Sequence, residues 1–95
     1  MIVVITKFWV KPDMVLEFKD AFTDVADGSR KEADCFSYQL CKDMKQENLW
    51  YTLGTWKNEA ALHEHMTSLH VRNGIARTAE TLDMDPEWTF CEEVL

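Results

Sequence analysis

The stretch Ile2-Val-Val-Ile-Thr-Lys-Phe-Trp-Val10 constrains this chain more than any other. It is rich in β-branched and aromatic residues and Pro12 closes it, so it reads as a strand over residues 2–10. Side chains alternate between the two faces of a strand. Ile2, Val4, Thr6, Phe8 and Val10 therefore point one way, and Val3, Ile5, Lys7 and Trp9 the other. Both sides are mostly apolar, so both need cover.

The remaining sequence supplies one of the two covers. Val15, Phe18, Phe22, Val25 and Ser29 recur at three- and four-residue steps, which predicts an amphipathic helix over 14–32 with Asp13 as its N-cap. Gly28 near its end marks a bend or a close contact. The extended runs 35–42 and 49–56, joined by a polar stretch, read as an antiparallel hairpin. Asn58 is placed to cap a second helix bearing Leu62, His65, Met66 and Leu69 on one face, and Ser68 a continuation with Val71, Ile75 and Leu82 inside. Asp85-Pro86 stops it, and 88–94 forms a fourth strand. The order β-α-β-β-α-β predicts a single α+β domain over 1–95 with the ferredoxin-like arrangement, all helices on one face of the sheet. The other face also carries apolar residues, and a second copy of the chain is the simplest cover, so a homodimer is expected.

Composition narrows the partners. A 95-residue domain often needs a disulfide, a metal or a partner subunit to reinforce its core. Cys35, Cys41 and Cys91 are odd in number and form no CxxC pair. In one strand Cys35 and Cys41 would lie roughly 20 Å apart, too far to bond. Reduced thiols and a cytoplasmic location follow as expectations. The apolar run at the start is broken by Lys7, which fits neither a signal peptide nor a membrane span. Seventeen acidic against ten basic residues give a net charge of −7 with no basic stripe. That field disfavours nucleic acid and anionic membrane as partners, though not a small anion in a local basic pocket. There is no nucleophile triad, no metal-ligand spacing and no glycine-rich phosphate loop, so neither metal nor other cofactor is expected.

The opening segment 2–13, the segment Ser29-Arg-Lys-Glu-Ala-Asp-Cys-Phe-Ser-Tyr38 and the block Trp56-Lys-Asn-Glu-Ala-Ala-Leu-His-Glu-His65-Met-Thr-Ser-Leu-His70 resemble the antibiotic biosynthesis monooxygenase domain. Trp56, Ala61-Leu62, His65, Ser68 and His70 at fixed spacing carry most of the likeness. The resemblance implies a dimeric α+β barrel, a pocket in each subunit between sheet and helices, and chemistry ranging from cofactor-free oxygenation of quinols and polyketide aromatics to haem degradation and isomerisation of small phosphorylated carbonyl compounds. Gly54 stands where that family often has a glutamate, so that carboxylate is lost or moved. Asp34 replaces a frequent glycine and would tolerate a left-handed turn. The positions matching the asparagine and histidine of the haem-degrading branch are Thr6 and Ile75, which argues against haem.

Read residue by residue, His65 is the first candidate base, on the apolar helix face; buried structural histidines are the commoner alternative. Trp56, with Trp50, Thr52 and Gly54 on its face, suits the wall of a planar ligand, and glycine at 54 leaves room beside the ring. Thr6 and Phe8 join that wall if the first strand turns its even residues inward. Tyr38, on one face with Phe36 and Leu40, offers a hydroxyl to a phenolic substrate. His70 either touches the ligand or orients the helix break, and Arg72 and Arg77 are available to an anion. His63 and His65 fall on different helix faces, which argues against a joint metal site. The expected function is a cofactor-independent monooxygenase of a small quinol-like or polyketide-like aromatic, with a non-catalytic ligand-binding dimer or a carbonyl isomerase as alternatives. Catalytic roles fall to His65, Trp56 and Tyr38, and substrate binding to Thr6, Phe8, Trp50, Gly54 and His70.

Overall fold

A computed structural model describes residues 1–95. Its elements are β1 (Ile2–Trp9), α1 (Val15–Arg30), β2 (Cys35–Lys42), β3 (Leu49–Trp56), α2 (Glu59–Met66), α3 (Leu69–Thr78) and β4 (Glu87–Glu92), with single 3-10 turns at Pro12–Met14 and Ala79–Thr81. The four strands form one antiparallel sheet in the order β2-β3-β1-β4, the ferredoxin-like topology. No helix is long and apolar enough to cross a membrane.

The even residues of β1 meet the helices. Phe8 packs edge-on against Phe18 and Phe22 of α1, with ring centroids 5.5 and 5.0 Å away. These rings join Val4, Val25 and Val71 in one core, where each buried side chain contributes roughly 1.5–3 kcal/mol. Val3, Ile5 and Trp9 of β1 and Tyr51 and Leu53 of β3 lie on the opposite, helix-free face and stay half-buried. β4 pairs Trp88 with Thr6 and Phe90 with Val4, so its two aromatics share the helix side. Trp88 and Phe90 nevertheless remain 37% and 56% exposed, stacked with 8° between their planes.

Local chemistry departs from the sequence pattern at four points. A 3-10 turn headed by Pro12 precedes α1, whose N-cap is Met14 with no side-chain bond, so Asp13 does not cap it. A β-bulge lies between Cys35 and Ser37, which pair with Trp56 and Thr55. The bulge leaves Phe36 over and 57% exposed, so Phe36 does not share the buried face of Tyr38. Asp34 needs no left-handed turn, since no residue has positive φ. Ile75 is half-exposed rather than inside the core. The other two caps follow the pattern: Asn58 Oδ1 accepts from Ala61 N–H at 2.9 Å, and Ser68 Oγ from Val71 N–H at 3.4 Å.

Candidate active site

The pair of helices α2 and α3 breaks at Thr67-Ser68, and the break builds the site. Ser68 donates its hydroxyl to the His65 carbonyl at 2.6 Å while its oxygen caps α3. That closure turns His65, before the break, and His70, after it, toward one point. The point is Glu32, in the turn between α1 and β2, where its backbone N–H donates to Ser29 O at 3.1 Å.

Glu32 gathers three donors. Its Oε1 accepts from Trp56 Nε1 at 3.0 Å, and its Oε2 accepts from His65 Nδ1 at 2.8 Å and His70 Nε2 at 2.6 Å. Burial alone would raise the Glu32 pKa, but the bonds from Trp56, His65 and His70 outweigh it and hold the carboxyl below its ordinary 4.5. His65 moves down from 6.5, chiefly because burial disfavours its cation, against the pull of Glu32. At neutral pH the pair is therefore a carboxylate and a neutral imidazole. An ionised carboxylate only accepts, so the ring proton sits on Nδ1 and Nε2 carries the lone pair.

That nitrogen has no protein partner, and His65, only 5% exposed, lines a cavity of about 460 Å³ between sheet and helices. The volume falls within the ~300–1,000 Å³ of small-ligand sites. Thr6, Phe8, Thr52, Gly54 and Trp56 line it from the sheet, together with Tyr38 of β2. The Trp56 ring stands 4.3 Å from the His65 ring and 6.1 Å from that of Tyr38, centroid to centroid. Burial pushes the Tyr38 phenol far above its usual range, so it serves as a hydrogen-bond donor and not as a base.

Six of the eight residues singled out in the sequence, His65, Trp56, Tyr38, Thr6, Phe8 and Gly54, lie on this cavity. Trp50 and His70 do not. Trp50 turns toward α1, its ring 5.8 Å from Phe18 and its indole N–H buried without a partner. His70 packs over Gly28 and reaches Glu32 instead of the ligand space, which is the close contact that Gly28 permits. The space above Gly54 is not free either: a Cβ there would run into the Trp56 ring. Glycine at 54 seats the tryptophan ring, which takes the space a side chain would fill. Arg77 is bound to Asp24 at 2.7 Å, and neither it nor Arg72 faces the cavity.

Sequence reasoning missed Glu32. It stands 33 and 38 residues from its histidine partners, and no helical or strand period connects them. The signal available was the displaced carboxylate: where Gly54 lacks one, Glu32 in the segment before Tyr38 supplies one. The donor atoms of Glu32, His65 and His70 also lie within 4.8 Å of one another, a grouping that sequence spacing concealed. Their 2.6 and 2.8 Å separations are those of charge-assisted hydrogen bonds. A zinc ion about 2.0–2.2 Å from each donor would have to displace both.

The profile of the antibiotic biosynthesis monooxygenase family matches residues 1–77. The provisionally named monooxygenase YcnE of Bacillus subtilis (strain 168) is 32% identical over 82 residues, 86% of each chain. A conserved protein of Methanosarcina mazei Go1, 27% identical, superposes with a TM-score of 0.95 over 98% of this chain and 92% of its own. A Caulobacter crescentus CB15 structure assigned to the same monooxygenase family gives 0.94 at 24% identity, over 99% and 90%. On the profile match, the relative and the shared fold together, the chain belongs to the antibiotic biosynthesis monooxygenase family.

Proposed function

We propose that the protein is a monooxygenase that oxidises a small quinol-like aromatic in the cavity, with His65 as general base and no added cofactor. The observation that carries this reading is His65, buried in the lining of the cavity with its Nδ1 held by Glu32 and its Nε2 without a protein partner. A base must reach a substrate hydroxyl within about 2.6–3.2 Å, and a lone pair held in one direction meets that need.

The chemistry asks little more of the protein. His65 Nε2 takes the proton of a hydroquinone hydroxyl, and Glu32 steadies the imidazolium that forms. The electron-rich anion then reduces oxygen. One oxygen atom enters the ring, the other leaves as water, and the substrate, which ends as a hydroxyquinone, supplies all four electrons. Trp56 and Phe8 hold the ring plane, Tyr38 donates to a second oxygen, and the apolar walls keep water out. The half-buried apolar side chains on the helix-free face support a homodimer joined through the sheets.

Oxygen uptake over a panel of hydroquinones tests the reading. Uptake above the uncatalysed rate is expected, with a loss of about 10²-fold in His65→Ala, the usual yield of a general base. Binding without uptake across the panel would instead indicate a ligand-binding protein.

A further inference from the structure

The cavity has a marked electrostatic bias. None of its lining residues is lysine or arginine, and its only acidic side chains are Asp83 and Asp85, both exposed between α3 and β4. Lys11 Nζ donates to the Glu80 carbonyl at 3.0 Å and Arg77 is held by Asp24, while Lys7, Lys57 and Arg72, next to lining residues in sequence, do not line the cavity. Inside, the polar end is a neutral imidazole backed by the Glu32 carboxylate. An anion entering from solvent passes two like charges, loses its hydration in an apolar enclosure and meets no countercharge.

We propose that the cavity admits uncharged hydroxylated aromatics and turns away anionic ones, whether carboxylates, sulfonates or phosphate esters, with Asp83 and Asp85 setting the choice. The substrate class rests on the oxygenase reading above; the charge selection rests on the cavity alone. It also works against isomerisation of a phosphorylated carbonyl compound, whose phosphate would find no cation here.

Dihydroxybenzoate and its methyl ester share the ring and differ in the charge. Their dissociation constants, read from tryptophan fluorescence, should differ by roughly ten-fold in favour of the ester at low salt, and the gap should narrow as salt screens the rim. In Asp83→Asn/Asp85→Asn the ratio should fall several-fold. A control, Asp20→Asn/Asp27→Asn, removes the same charge from the exposed side of α1 and should leave the ratio in place. Equal affinities in the parent protein, a ratio unmoved by the rim variant or moved equally by the control, or binding of neither compound would overturn the proposal. Selective binding of the ester with no oxygen uptake across the hydroquinone panel would sink the oxygenase reading and leave charge selection standing.

Discussion

At the scale of the residue, two tryptophans of one face do different work. Trp56 gives its N–H to Glu32, whereas the Trp50 N–H is buried without a partner. Trp56→Phe should therefore cost more in urea unfolding than Trp50→Phe. A hydrogen bond to a charged group is worth about 1.5–3 kcal/mol, nearer the lower end here because Glu32 keeps 19% of its surface in water. The acid response follows from the same group. Glu32 is held below 4.5, so its stabilisation is present above that pH and is lost as pH falls through the lowered value. His65 is held below 6.5, so the unfolded chain binds that proton first, and stability already declines beneath about 6.5. Both slopes have one sign. Unfolding free energy should fall steadily from pH 7 toward 4 in the parent; in Glu32→Gln the decline that starts near 6.5 should deepen, because His65 loses the group that pulls its pKa up, while the further loss below 4.5 that Glu32 supplies should disappear; a flat profile would refute the assigned charges.

At the scale of the element, two glycines let side chains seat on backbone. A Cβ at 54 meets the Trp56 ring, which is only 1% exposed and has nowhere to go, and a Cβ at 28 meets the His70 imidazole. Gly54→Ala should lower stability by about 1–3 kcal/mol, the cost of overpacking. Gly28→Ala should do less harm, because His70 can swing outward, but it should weaken the His70–Glu32 bond, visible as changed His70 ring chemical shifts by NMR. The strand runs 35–42 and 49–56 and the caps of α2 and α3 were readable because period and capping chemistry are local, although Asp13 did not cap α1. The bulge at Phe36 was not, since one inserted residue reverses the parity on which the reading depended. Glu32 escaped for a related reason. Its partners come from β3 and from both sides of a helix break, and only tertiary packing assembles them.

At the scale of the molecule, helices and sheet enclose a cavity on one face while Val3, Ile5, Trp9, Tyr51 and Leu53 remain half-covered on the other. The double-sided apolar pattern of β1 already indicated this asymmetry, because a sheet with helices on one side leaves the second side to another body. Sedimentation at low micromolar concentration should give a dimer, and a Trp9→Glu/Leu53→Glu variant should shift it toward monomer; a folded parent monomer there would refute the sheet-to-sheet association. The candidate base and its aromatic wall were legible as residue types, but the direction of the lone pair at His65 Nε2 was not, because Glu32 sets it. That direction is the centre of the functional account. Its most direct test is turnover of a hydroquinone under isotopically labelled oxygen by the parent protein and by His65→Gln. One labelled atom is expected in the organic product and one in water, with the rate down about 10²-fold in the variant. Unlabelled product, or equal rates from the two proteins, would contradict it.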